Sequence, residues 1–234
     1  MRVYFLIIIG IFFSLLQSCK EVDSDQPNEY AAKFVTQLNP TDTFLVDIPR
    51  PKNKEIDSFQ IEINKRNERY LALESIEKGF DSIQVRIFYA CINTPRLFII
   101  LKNTGKKWKA ELCRIVYPKN WQNWGDSVSR MTINGSPKSG WTKFISQLFE
   151  LKVLTLPTDD NIPGFKRESV TDGCWAEVEI ATKNTYRYYS YDNPDLYNYP
   201  QTKNILLILE LINNEFEMKK KFNAENIWPD GNLK

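Results

Sequence analysis

The stretch "CWAEVEIATKNTYRYYSYD", residues 174–192, decides the fold because its side chains alternate in character on both sides of a central turn. Alternation with a period of two predicts two strands, and Lys183–Asn184 supplies the turn between them. A symmetric loop of two or four residues places Glu179 opposite Tyr188. A loop of three residues would shift the register by one position and exchange the two faces.

In the symmetric register the hairpin has one apolar face and one face of aromatic and acidic residues. The apolar face is predicted to be the core side and comprises Ala176, Val178, Ile180, Tyr189 and Tyr191. The second face comprises Trp175, Glu177, Glu179, Tyr186, Tyr188 and Ser190. Aromatic rings beside carboxylates are able to stack on a sugar or a peptide and to accept its hydrogen bonds, so all of these except Ser190 are candidate binding residues. The alternative is an ordinary solvated face, because antiparallel sheets commonly expose one polar side.

Further strands follow from the same periodicity. Alternation predicts strands at Phe59–Ile63 and Ile83–Tyr89. Segments 96–102 and 107–117 flank a short turn, in which Gly105 is able to take the positive φ of a tight hairpin loop. We therefore expect a second hairpin there.

Two later segments have the 3.6-residue periodicity of helices. In residues 136–151 the apolar positions form one stripe, with a start near Ser136–Pro137 or Ser139. Its members are Trp141, Phe144, Ile145, Leu148 and Phe149. A second helix, at about 203–218, is apolar around most of its surface. Strands followed by helix, hairpin and helix predict an α+β fold, a mostly antiparallel sheet with two principal helices packed on it.

The N-terminus carries a targeting pattern. After Met1 and Arg2 comes the apolar run Val3–Leu16, which is fourteen residues long. As a helix this run would rise only ~21 Å, which is less than the ~30 Å hydrocarbon thickness of a bilayer. It is therefore predicted to be the core of a signal peptide, and no permanent membrane span is expected in the mature protein.

The residues that follow, Leu16-Gln17-Ser18-Cys19, resemble a bacterial lipobox. The resemblance implies that residues 1–18 are a signal peptide and that Cys19 becomes the fatty-acylated first residue, which anchors the protein to the outer membrane. Lys20 and the acidic residues after it are similar to the surface-export signal of Bacteroidota lipoproteins. Cell-surface and periplasmic orientations both stay open. The alternatives are an ordinary secretory signal with an incidental cysteine and an N-terminal membrane helix.

The remainder divides into a tether and one domain. Residues 19–55 begin with an acidic, polar stretch and continue with a proline-containing lead-in, so they are expected to hold the domain away from the bilayer. Residues 56–234 are expected to form a single α+β domain. The body, residues 56–218, resembles uncharacterised bacterial lipoproteins and contains no motif specific enough to name a function.

Several classes of chemistry are excluded by composition. The chain has no histidine, which removes Ser-His-Asp and Cys-His catalysis and histidine metal ligation. It has no glycine-rich phosphate loop, and its formal charge of +2 favours no nucleic-acid partner. We expect no cofactor and no metal. Carboxylate chemistry of the glycosidase type remains, because Glu177 and Glu179 would lie ~6–7 Å apart between Cα atoms on one strand face.

Two further residue sets bear on function. Trp121 and Trp124 fall in a polar loop, which makes them candidate binding residues, although loop tryptophans more often fold back onto their domain. Cys91, Cys113 and Cys174 are odd in number, so at most one disulfide is able to form among them. The favoured expectation is that they are buried thiols acting as small apolar residues, and any pairing stays open.

The leading hypothesis is a lipid-anchored envelope protein that binds a glycan, a peptide or another envelope protein without catalysing a reaction. The first alternative is a glycan hydrolase that works through carboxylates. The second is a protective or inhibitory lipoprotein that binds a secreted protein.

Overall fold

The computed structural model describes residues 62, 65–92, 94–105, 107–116, 129–168, 170 and 173–223. The predicted leader, Cys19 and the tether to residue 55 lie outside these residues, as do Trp121 and Trp124. The predicted strand at Phe59–Ile63 also lies outside them, except for Glu62, which is helical.

One six-stranded sheet organises the described residues, and every neighbouring pair of strands is antiparallel. The strands are β1 Ile83–Cys91, β2 Arg96–Asn103, β3 Trp108–Val116, β4 Ser129–Gly135, β5 Cys174–Thr182 and β6 Tyr186–Asp192. Their spatial order is β4-β3-β2-β1-β5-β6. The first four strands form a meander, and the β5–β6 hairpin returns to pair with the other side of β1.

Within the described residues, three helices follow β4, and residues 65–71 before β1 are also helical. The helices are α1 Trp141–Glu150, α2 Pro200–Phe216 and α3 Met218–Phe222, with short 3-10 helices at Asp159–Asn161 and Pro194–Leu196. The predicted α+β fold, with helices packed on an antiparallel sheet, is confirmed.

The ends of α2 differ from the prediction for local reasons. The helix begins at Pro200, three residues early, because proline fits the first helical position and the Tyr199 N–H donates to the Thr202 hydroxyl at 3.1 Å. It ends at Phe216 because Glu217 takes a left-handed conformation, with φ of +55°. The chain then continues as the separate helix α3.

Both predicted hairpins form, and the second has the predicted register. In the first, Asn103 is opposite Trp108, and Gly105 has a φ of +84°. In the second, Glu179 is opposite Tyr188 around a two-residue loop, which the Thr182 N–H closes by donating to the Thr185 carbonyl at 2.8 Å. The assignment of residues 174–192 to two faces is therefore confirmed.

One face of the sheet, here called the helix face, packs against α1, α2 and α3. The predicted core side of the hairpin lies on it and is buried. Phe144 of α1 and Phe216 of α2 meet over the sheet with ring centroids 5.1 Å apart, in an edge-to-face geometry. Burial of each such large side chain stabilises the fold by about 1.5–3 kcal/mol.

Much of the opposite face, here called the covered face, is buried as well, although its β4 end is exposed. Residues 65–80, here called the cover, lie across it. Leu71 of the cover packs in one cluster with Phe88, Phe98 and Ile100 of the sheet. At the other end of the cover, Ile76 and Phe80 pack with Ala181, Tyr186 and Tyr188. The sheet is therefore the middle layer of three.

The expectation that all three cysteines are buried thiols is wrong for two of them. Cys91 and Cys174 are direct partners in the β1–β5 pair and form a disulfide. Cys113 is buried in the covered face and carries a thiol. The disulfide joins residues 83 apart in sequence, so it closes a long loop and contributes on the order of 2–4 kcal/mol to stability.

Candidate functional site

The covered face contains a buried ionic network centred on Arg86 of β1, whose side chain is 1% exposed. Its Nη1 lies 2.8 Å from Glu68 Oε1 and 3.4 Å from Glu179 Oε2. Its Nη2 donates to the Glu74 carbonyl. Its Nε donates to the Gln84 side-chain amide oxygen at 2.8 Å when that amide is oriented with its oxygen towards the guanidinium. Because a buried guanidinium is costly unless all its donors are paired, this arrangement ties the cover to the sheet.

Glu179 is held between the guanidinium and a phenol. The Tyr186 hydroxyl donates to Glu179 Oε1 at 2.7 Å. Burial raises the pKa of Glu179 above its ordinary value, and this effect outweighs Arg86 and the Tyr186 hydrogen bond, which lower it. Burial also raises the pKa of Tyr186, and the neighbouring Glu179 carboxylate raises it further.

Four of the predicted binding residues therefore lie in the interior. Glu177 and Glu179 are 1% and 2% exposed, and Tyr186 and Tyr188 are each 6% exposed. The expectation of an open aromatic and acidic surface is wrong, because the cover occupies it. No large ligand reaches these side chains while the cover is in place, and their role in binding stays a prediction.

A polar cavity of about 390 Å³ remains between the cover and the sheet. Arg86 and Gln84 form part of its lining, together with Lys102 and Glu111, which are joined by an ion pair of 2.8 Å. Both cationic side chains that line the cavity thus have an anionic partner already. The cavity offers no uncompensated positive charge to a ligand.

Trp175 is the one candidate on this face that is partly exposed. It is the second residue of β5 and lies directly opposite Ala90 of β1. The guanidinium carbon of Arg96 lies 5.1 Å from the centroid of the Trp175 ring. The small Ala90 side chain leaves room for this cation–π contact between β2 and β5, which holds the ring in place.

Trp175 also lines a surface pocket of about 190 Å³, here called the Trp175 groove. Its other main members are Ile92, Arg167, Val170, Asp192 and Asn193. Ile92 and Val170 are unusually exposed for aliphatic residues, at 41% and 39%. An aromatic ring, two exposed aliphatic side chains and several hydrogen-bonding groups thus meet at one surface.

The wall of the groove is fixed by backbone contacts. The Asn193 N–H donates to the Cys174 carbonyl at 2.7 Å, and the Cys174 N–H donates to Asn193 Oδ1 at 2.8 Å. A Cβ atom on Gly173 would clash with the Asn193 side-chain amide, so a larger residue there would displace Asn193 from its hydrogen bond with the Cys174 N–H. The Ile92 N–H donates to the Gly173 carbonyl at 3.0 Å, and the Cys91–Cys174 disulfide joins the same two segments.

Arg167 supplies the charged side of the groove. Its guanidinium lies 2.8 Å from Asp192 Oδ2 and 2.9 Å from Asp159 Oδ1. Burial raises the pKa of Asp159, an effect that hydrogen bonding from the Asp192 N–H and the charge of Arg167 oppose. These pairs hold the Asp192 carboxylate and the Arg167 guanidinium at fixed positions on the surface.

No sequence pattern predicts the other groove residues, Ile92, Arg167, Asp192 and Asn193. Their proximity depends on where β1 ends, where β5 begins and how the chain leaves β6. The available signal was the pair of cysteines, since a Cys91–Cys174 bond would have brought residues 92 and 173 together.

Comparison with known proteins gives no match to a family model, to a curated protein or to a solved structure. Among the described helices, none combines the length and apolar content required to cross a bilayer. Within the described part of the chain, no three acidic or cysteine side chains converge to form a candidate metal site. The site must therefore be interpreted from its geometry.

The Glu179→Gln substitution tests the ionic network through pH. Because the pKa of Glu179 is raised in the folded state, that state binds the proton more tightly than the unfolded chain, whose value is near 4.5. The contribution of Glu179 to the free energy of unfolding is therefore largest below that value and falls as pH rises towards the folded-state pKa. Glu179→Gln should remove this fall, which denaturant unfolding from about pH 4 to about pH 8 measures.

The matched control is Glu150→Gln, which removes an exposed carboxylate on α1. It should leave the pH profile parallel to that of the wild type. A Glu179→Gln profile that also runs parallel to the wild type would contradict the raised pKa.

Proposed function

We propose that this chain is a lipid-anchored protein of the bacterial cell envelope whose domain binds a glycan through the Trp175 groove. The observation that carries the proposal is the partly exposed Trp175 beside the fixed Arg167, Asp192 and Asn193 side chains. Indole rings stack on the C–H faces of sugars, and carboxylate, guanidinium and amide groups pair with sugar hydroxyls. A groove of about 190 Å³ is smaller than a typical small-molecule pocket, so it would hold only a short part of a longer glycan.

The proposed location has support from two independent features. The order of basic start, apolar run, small residue and cysteine at residues 1–19 is typical of lipoprotein leaders. The Cys91–Cys174 disulfide fits an oxidising compartment such as the periplasm or the cell surface, where such bonds persist.

A protein or peptide ligand is the second candidate, and the exposed Ile92 and Val170 side chains favour it. Exposed aliphatic residues beside an aromatic ring and an arginine are typical of the centre of a protein interface. This candidate includes the protective or inhibitory lipoprotein that binds a secreted protein.

The carboxylate-based hydrolase has less support. Glu177 and Glu179 lie beneath the cover, and Glu179 is engaged by Arg86 and Tyr186. A glycosidase requires both carboxyl groups to reach the scissile bond.

The anchor is tested by Cys19→Ser in the full chain with its leader. Wild type should be recovered in the membrane fraction and should incorporate a fatty-acid probe, because acyl chains on Cys19 provide the anchor. Cys19→Ser should lose both properties, while Cys113→Ser, which alters a buried thiol elsewhere, should retain them. Membrane recovery of the Cys19→Ser variant, or an unmodified amino terminus by mass spectrometry, would overturn the anchor.

The groove is tested by Trp175→Ala on an array of envelope glycans. Removal of the ring should weaken binding at least about tenfold, which corresponds to about 1.4 kcal/mol. Leu207→Ala, on α2 at the opposite side of the sheet, is the control and should bind as wild type does. Unchanged affinity in Trp175→Ala, with an unchanged circular dichroism spectrum, would exclude the groove as the glycan site. If neither wild type nor any variant binds a glycan, and Ile92→Ser loses a protein partner that wild type binds, the protein or peptide ligand is favoured.

A further inference from the structure

The two edge strands of the sheet differ in whether other described residues form hydrogen bonds with their outer sides. The edge strand β6 is covered along its outer side. The Thr158 hydroxyl donates to the Ser190 carbonyl at 3.0 Å and lies 3.4 Å from the Ser190 N–H, and the Asp192 N–H donates to Asp159 Oδ2 at 3.0 Å. This edge is closed to a further strand.

The other edge strand, β4, pairs with β3 on its inner side. None of the residues that the structure describes donates a backbone hydrogen bond to the outer side of β4. Five of its seven residues are exposed, including Met131 at 46%. A row of unpaired backbone groups at a sheet edge is a template for another strand.

Within the part of the chain that the structure describes, β4 has neither a bulge nor a proline or lysine to protect such an edge. Its register with β3 is unbroken from Gly135 to Ser129. Its single charged side chain, Arg130, turns away from the edge, because its Nη1 donates to the Tyr70 carbonyl of the cover at 3.2 Å.

We propose that two copies of this chain associate through β4, antiparallel and related by a two-fold axis at Thr132. In this register each residue of the sequence "SRMTING", residues 129–135, faces a compatible residue of the same sequence in the partner subunit. Met131 is then opposite Ile133 of the partner subunit, on the helix face, where Ile133 already packs against the core. Arg130 is opposite Asn134 of the partner subunit, and the two copies of Thr132 face each other.

Charge and polarity both favour a second copy as the occupant. No like charges are opposed, because the one arginine of each strand meets a neutral amide. The apolar pair falls on the face that is already apolar, and the threonine pair falls at the centre, where such pairs are favourable across strands. All seven residues are matched only when the axis passes through Thr132, which fixes the register.

Disulfide trapping in membranes that contain the full chain tests this register. The variant is Thr132→Cys in a Cys113→Ser background, because the Thr132 hydroxyl lies 3.7 Å from Cys113 Sγ and the native thiol would otherwise compete. Oxidation should give a covalent dimer of twice the monomer mass, since directly opposed Cα atoms lie within disulfide range.

The matched control is Asn134→Cys in the same background. In the proposed register its two copies are offset by four residues, roughly 13 Å along the strand, and should not cross-link. Cross-linking at both positions or at position 134 alone would overturn the register, and its absence at both would overturn the dimer.

Sedimentation of the detergent-solubilised chain gives an independent readout. Thr132→Asp places two carboxylates in direct opposition and should convert the dimer to a monomer, while Thr132→Val should remain a dimer. A wild-type monomer, or a complex with a protein of different mass at this edge, would contradict the proposal. This inference concerns β4 alone, so it stands or falls separately from the Trp175 groove.

Discussion

The arrangement of this domain depends on the pairing of one buried cation, Arg86, with groups from two different layers. Leaving a guanidinium unpaired in the interior would cost several kcal/mol. Glu179 and Gln84 of the sheet pair with some of the N–H donors of the guanidinium. Glu68 and the Glu74 carbonyl of the cover pair with others. The cover is therefore positioned by ionic pairing as well as by the apolar contacts of Leu71 and Ile76.

This constraint explains why the sequence predicted the strands better than their surroundings. The register of residues 174–192 followed from alternation and a two-residue loop, and both are local properties. Whether a polar face meets water or another layer is not a local property. The alternating pattern that places Glu179 and Tyr188 on one face is the same in either case. The decisive residues, such as Glu68 and Leu71, lie in a helical segment whose apolar pattern the sequence analysis did not identify. The disulfide was equally hidden, because its two cysteines become neighbours only when β5 pairs with β1.

Because the cover lies over the aromatic and acidic face, the Trp175 groove is the accessible part of that face among the described residues. The groove lies where β1 ends and β5 begins, and the disulfide joins these two segments of its wall. In the sheet, β3, β2 and β1 lie between β4 and β5. A dimer through β4 would thus carry its two grooves at opposite ends of a continuous sheet, which favours bivalent attachment to a repeating ligand.

The most direct measurement of the central claim, that residues 65–80 seal the covered face, is the labelling rate of the Cys113 thiol. Cys113 lies in one cluster with Leu71 of the cover, and burial raises its pKa to about 11. Because the thiolate is the reactive species, iodoacetamide followed by peptide mapping should leave Cys113 unmodified in the folded full chain and modify it fully in denaturant. Rapid modification of Cys113 in the folded chain would contradict a sealed covered face.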